Sequence, residues 1–286
     1  MSARPAMLLD RDPASFGLLR DAARERRCVF VAGLPGVGKS LIVQQLALIA
    51  EAEGRVPHLL QWDVARIPFD TPAILARHPE VNGVTDVAIR TAVGLWARDA
   101  VTRWDSAHAG SPEHLLVGET PLVGGRLAEL ARPMDDAVEP LLAGPATLFV
   151  IAVPTPELRR TIEASRERDL ADPAHERDRA SAPSHLIRVH WDEIVEIARR
   201  LGLETAQDGG YDPDAYVAVY RRALRRRNSV VLPLAKVLAV RGSPHERAAP
   251  VRELIPSDRD VAHAIELAER LARAEIEDAA TRWYDV

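Results

Sequence analysis

Apolar residues along this chain fall into short continuous runs, separated by longer stretches in which they recur every three or four positions. The continuous runs are Cys28–Ala32, His58–Trp62, His114–Val117, Thr147–Val153 and Val230–Leu238. Runs of this length, bounded by polar or turn residues, read as strands buried on both faces. Helical spacing marks residues 13–26, Leu41–Ala52, Thr71–His78 and Thr85–Ser106, the last carrying Val87, Ala88, Ala92, Leu95, Trp96 and Val101. It returns at Trp191–Leu201, Asp214–Arg226 and Asp258–Trp283, where Val261, Ile265, Ala268, Leu271, Ile276 and Ala279 make a broad stripe. Strands alternating with helices predict an α/β protein with a mainly parallel sheet. Pro233 has no N–H to give to a ladder and puts the fifth strand at an edge.

The stretch between the second and third strands exceeds a plain crossover and predicts a helical insertion over about residues 66–110. Residues 119–142 read as a further helical stretch, interrupted by Gly124-Gly125 and Pro133. Pro154-Thr155-Pro156-Glu157 opens a helix running to about Glu167. Arg168 to Ser184 is highly charged and poor in apolar anchors, which predicts a mobile loop. Gly242–Pro256 reads as a connection. The whole chain, 1–286, reads as one domain with a core over about 26–240 and a C-terminal helical extension over about 241–286.

Composition narrows the class without naming a partner. The 286 residues are 47% hydrophobic and 28% charged, as in ordinary soluble domains, and the net charge of −5 gives no drive toward nucleic acid or anionic lipid. The single cysteine, Cys28, excludes an internal disulfide and sits where a buried apolar role is expected. No Cys/His group has the spacing of a zinc site. There is no signal-peptide pattern and no apolar run of spanning length, so a cytoplasmic protein with no membrane partner is expected. The basic cluster Arg221, Arg222, Arg225, Arg226 and Arg227 reads as a solvated helix face. Without interleaved aromatics it makes nucleic acid the less favoured partner.

The densest chemistry is Gly33-Leu34-Pro35-Gly36-Val37-Gly38-Lys39-Ser40, which fits G-x-x-x-x-G-K-[ST]. It follows the first strand and opens the helix that begins near Leu41, which is the context a phosphate-binding loop requires. Glycines at these places let backbone N–H groups turn toward an anion, and the helix start adds donors and partial positive charge. Lys39 can neutralise β- and γ-phosphates, and Ser40 can hold Mg²⁺. The cofactors expected are therefore ATP and Mg²⁺.

Phosphoryl transfer needs charge neutralisation, alignment and often a carboxylate that takes the acceptor's proton. Two carboxylates fall at predicted strand ends, Asp63 after the second and Glu119 after the third. Either can be a base or a metal-linked acid, and either can instead be a helix cap. Arginines follow the fourth strand. Arg159, Arg160, Arg166 and Arg168 lie on or just past its helix, in a segment of about 159–184 that reads as a lid. Arg166 is the candidate for steadying transferred charge, and Arg160 and Arg168 are candidates for phosphate contact. Arg177 and Arg179 rank below them.

Together, Gly33–Ser40, Asp63, Glu119 and the Arg159–Arg168 region resemble P-loop kinases of the nucleoside and small-molecule type, within the P-loop NTPase superfamily. The resemblance implies a three-layer fold with a five-stranded sheet in the order 2-3-1-4-5. It also implies transfer of the γ-phosphoryl group of Mg-ATP to a small-molecule or nucleotide acceptor. The loop is similar as well to that of AAA-type ATPases. In those a strand ends in Asp-Glu, and here Gly118-Glu119 lacks the aspartate. A regulatory ATPase and a non-catalytic nucleotide-binding module are the alternatives.

Overall fold

The computed structural model describes residues 12–171, 184–205, 211–235 and 252–286. The apolar runs become β1 (Cys28–Ala32), β2 (Val56–Leu60), β3 (His114–Thr120), β4 (Thr147–Pro154) and β5 (Ser229–Leu234). They form one parallel sheet in the order β5-β4-β1-β3-β2-β6, in which β6 (Arg252–Glu253) is a sixth strand on the outer side of β2. The sheet thus has one strand more than the five expected. Two residues carry no periodicity, and β6 comes from beyond the expected core boundary near residue 240. All of β1 is buried, as its unbroken apolar run requires. β5 is an edge strand, as Pro233 indicates.

α1 (Pro13–Glu25) precedes β1, and α2 (Lys39–Ala52), α3 (Trp62–Arg66), α4 (Pro72–Arg77) and α5 (Val87–Ala107) follow it before β3. Then come α6 (Glu139–Ala143), α7 (Pro156–Ala171), α8 (Ser184–Arg200), α9 (Pro213–Ala223), α10 (Asp258–Arg270) and α11 (Arg273–Thr281). From β1 the chain crosses outward to β2, then back to β3. Right-handed crossovers therefore set α2 and α5 on opposite faces of the sheet. α1 packs on α2, while α10 and α11 pack on α5. Among the described residues no helix is long and apolar enough to cross a membrane.

Three boundaries depart from expectation. Strand two ends at Leu60, because Val56 and Pro57 pair with His114 and Leu115; Trp62 and Asp63 open α3 instead. The helix expected over Asp258–Trp283 breaks at Leu271-Ala272, where both residues are extended. The break brings the end of α11 onto Gly125 and leaves Trp283 fully buried, its Nε1–H donating to Glu193 at 2.9 Å. α7 continues through Ala171, past the expected end near Glu167, and the rest of the expected loop, 172–183, lies outside the described residues.

The largest departure is residues 119–142. β3 extends through Thr120, and the chain beyond it is mostly irregular, with short turns at Val123–Gly125 and Ala128–Leu130 before α6. Most of its apolar residues are buried, among them Leu122, Leu127, Leu130, Val138 and Leu142, which is why the sequence resembles a helix. Buried backbone without a ladder needs other partners. Arg98 donates to the carbonyls of Glu129 and Arg132, Arg227 to those of Leu130 and Arg132, Tyr220 to that of Pro121, and Arg90 to that of Gly124. Carboxylates neutralise the buried guanidiniums: Arg98 meets Asp136 at 2.6 and 2.7 Å, and Arg227 meets Glu139 at 2.7 and 3.0 Å. This clamp also holds Leu122 and Leu127 at φ of 62° and 55°, a left-handed geometry costing about 1–3 kcal/mol per residue. Of the basic cluster, Arg221, Arg222, Arg225 and Arg226 are exposed, whereas Arg227 is part of this clamp.

Replacing Arg227 by Met should destabilise the protein by about 1–3 kcal/mol, since the buried Leu130 carbonyl loses its donor and Glu139 keeps only Arg98 of its two guanidinium partners. Urea unfolding measures this, and a loss under about 1 kcal/mol would show that the clamp does not hold the segment.

Candidate functional site

β1 and β3 are neighbours whose onward connections leave to opposite faces. Their carboxyl ends therefore border the crevice where open parallel sheets place ligands. The 33–40 loop leaves β1 here, and Glu119 lies near the end of β3, paired in register with Val31.

Gly38 caps α2 at φ 89°, a conformation strained for any residue with a Cβ, and it offers no side chain to the helix start. The first helical bond runs from Ile42 N–H to Gly38 O at 3.0 Å, so the N–H groups of Lys39, Ser40 and Leu41 lie ahead of the helix's own ladder. The Lys39 ammonium folds back to donate to Leu34 O at 2.9 Å. Val37 also closes on the loop, its N–H donating to Leu34 O at 3.4 Å. Gly33 is required by crowding: a Cβ there would lie 2.8 Å from Val37 Cγ2 and 2.9 Å from the Tyr216 hydroxyl. That hydroxyl accepts the Leu34 N–H at 3.0 Å. Tyr216 thus anchors the loop from α9.

Ser40 Oγ donates to Glu119 Oε2 at 3.4 Å. Glu119 is only 3% exposed. Burial, reinforced by Asp63, raises its carboxyl to about 7, against the opposing pull of Lys39, Ser40 and the Trp62 N–H. Asp63 therefore stands within electrostatic reach of Glu119, but its place in the first turn of α3 is exposed. Lys39, Ser40, Asp63 and Glu119 converge on one spot, with the acidic pair divided into a buried and an open member. Glu119 lies within β3 rather than after it, because pairing with β1 continues to Thr120.

Arg126 lies next to this group. Burial lowers its pKa, against the opposing pull of Asp63 and Glu193. It donates to Val123 O at 3.4 Å and sits 3.4 Å from His190 Nε2. Neither Arg126 nor Tyr216 stood out in the sequence. The glycine pair before Arg126 is the only local signal, and Tyr216 is one apolar position among many on its helix.

The arginines after β4 separate. Arg159 is 4% exposed, with its guanidinium over Trp191 and Tyr211 at 5.8 and 5.3 Å. It stands in electrostatic reach of Tyr216, behind the loop. Arg160 is exposed and pairs with Glu157 at 3.2 Å. Arg166 and Arg168 lie on α7, but their side chains, like Arg177 and Arg179, fall outside the described residues. Cys28 is buried in β1, and burial pushes its thiol up to about 12, in keeping with a packing role. A cavity of about 620 Å³ opens between α5, α8 and α11, lined by Arg90, Glu193, Arg200 and Arg273 among others. It includes no residue of the 33–40 loop.

The arrangement can do two things chemically. The loop and helix start offer donors to an anion, and Ser40 with Glu119 offers hydroxyl and carboxylate oxygens to a hard cation. No protein-family model, curated protein or solved structure matches this chain.

The raised Glu119 carboxyl makes folding favour its protonated form. Its contribution is full below the ordinary carboxylate range and is lost as pH rises through about 7. Between pH 5 and 8, without nucleotide, Glu119→Gln should lose less stability than the wild type, by on the order of 2–3 kcal/mol. Glu129, which burial also raises to about 7, is present in both proteins and cancels. Identical pH dependence in urea unfolding would mean that Glu119 is not held in this environment.

Proposed function

We propose that this chain is a P-loop phosphotransferase that moves the γ-phosphoryl group of Mg-ATP to a hydroxyl or phosphate of a small molecule or nucleotide. The observation that carries the proposal is Ser40 Oγ against Glu119 Oε2 at 3.4 Å, at the mouth of a helix start capped by Gly38. The order β2-β3-β1-β4-β5 supports the reading, since it is the order that such kinases imply; β6 is then an addition at the rim.

The residues present fit a phosphate chain with its metal. The N–H groups of Lys39, Ser40 and Leu41 lie ahead of the ladder of α2, and Lys39 has a target to exchange for its Leu34 carbonyl bond. When bound, Mg²⁺ supplies charge neutralisation across the β- and γ-phosphates. Ser40 and the buried Glu119 are the residues that would hold it. A cation held there would favour the ionised form of Glu119, against the burial and the Asp63 charge that raise it.

Asp63 then takes the other role. Its exposure in the first turn of α3 lets it receive a proton from an acceptor hydroxyl, whereas Glu119 is closed in by β1 and Trp62. Arg126, which stands beside Asp63, orients that carboxylate and offers charge to an anionic acceptor. This divides the acidic pair by exposure, a distinction that strand-end position alone does not make.

A screen of metabolites and nucleotides with Mg-ATP, read as ADP release, tests the proposal. One acceptor class should raise turnover well above the rate with water alone. Lys39→Ala should abolish transfer, and Asp63→Asn should lower kcat about 10²–10⁴-fold while leaving nucleotide affinity intact. ATP hydrolysis that no acceptor accelerates, unchanged by Asp63→Asn, would instead indicate an ATPase and contradict the proposal.

A further inference from the structure

We propose that His58, His108 and His114 bind a divalent transition metal of the zinc class, at the end of the sheet away from the 33–40 loop. The three come from separate elements. His58 is in β2, His114 starts β3, and His108 is the C-cap of α5. Their spacing in sequence gives no zinc signature, and only the fold brings them together.

One nitrogen from each ring lies within 4.8 Å of those from the other two. His58 Nε2 and His114 Nδ1 are 3.0 Å apart. A tetrahedral zinc with bonds of about 2.0–2.1 Å sets its ligand nitrogens about 3.3 Å apart. That pair is therefore already close to ligand spacing, and half-buried His108 places its own nitrogen within 4.8 Å of both. His114 Nε2 faces Glu113 Oε1 at 3.7 Å, which leaves Nδ1 for the metal. Metal-binding histidines characteristically engage a carboxylate through their other nitrogen.

The scaffold around the rings is fixed. Arg27 donates to the carbonyls of Asp105, His108 and Ser111, pinning the turn that carries His108 and His114. The Asp105 carboxylate pairs with Arg27 and offsets its charge. His108 and His114 stack at 3.9 Å, and Trp104 packs against His58 and His108. Three imidazoles leave the fourth tetrahedral position to water. The competing account is a packed ring cluster in which the His58–His114 contact is only a hydrogen bond.

The test uses the full chain, stripped with chelator and titrated with Zn²⁺ or Co²⁺ without nucleotide. One equivalent should bind stoichiometrically at micromolar protein. Co²⁺ should develop the visible absorption of a four-coordinate site, and X-ray absorption of the zinc form should find a nitrogen/oxygen shell at about 2.0–2.1 Å. His108→Ala should weaken zinc binding at least about 100-fold, and Glu113→Gln about 10- to 100-fold. Ser40→Ala should keep wild-type zinc affinity, which separates this site from the proposed magnesium position. Absence of saturable binding would overturn the proposal, as would wild-type affinity in both the His108 and Glu113 variants. Loss of binding in Ser40→Ala would also overturn it. Glu113 is half exposed, so its variant decides the matter if His108→Ala does not fold.

Discussion

The parallel pairing of β1 with β3 is the constraint on which the rest of this structure depends. It sets Val31 beside Glu119 and aims both strands at one crevice. Because the chain leaves these strands toward opposite faces, that crevice stays open at the carboxyl ends. The glycine-rich loop can then turn back over the end of β1, with α2 starting where Ser40 reaches Glu119. A register shift of one residue would turn Glu119 to the other face of the sheet and dissolve the site.

Two kinds of buried charge are handled in opposite ways. In the segment after β3, guanidiniums and carboxylates are matched bidentately, and the surplus donors satisfy irregular backbone. That arrangement is rigid, and it supports two leucines in a strained conformation. At the crevice, Glu119 is buried beside another carboxylate and held away from its ordinary ionisation. A cation placed beside Glu119 would offset the burial and the Asp63 charge that raise it. The rigid clamp and the under-neutralised site adjoin, because Arg126 and Leu122 belong to the segment that the clamp secures.

The strands were legible because residues buried on both faces have to be apolar, and β1 and β4 match their runs closely. The loop was legible because its glycines and its lysine are spaced by local geometry. What escaped reading was set by distant partners. Residues 119–142 mimic a helix in apolar spacing, yet their carbonyls are claimed by Arg98, Arg227 and Tyr220, far away in the chain. Tyr216 meets Leu34 across 182 positions, and no local pattern announces such a contact. β6 is too short for any period. The histidine group forms only because β2 and β3 pair and α5 ends above them, so spacing in sequence says nothing of it.

The central claim is that amides at the start of α2 grip an anionic phosphate chain whose Mg²⁺ the Ser40–Glu119 pair would hold. Amide hydrogen exchange read residue by residue, with and without Mg-ATP, tests it most directly. The account predicts slowed exchange concentrated at Gly36–Leu41, with smaller changes at Glu119 and Trp62. Exchange at these amides that is unaffected by saturating Mg-ATP, or protection confined to another part of the molecule, would contradict it.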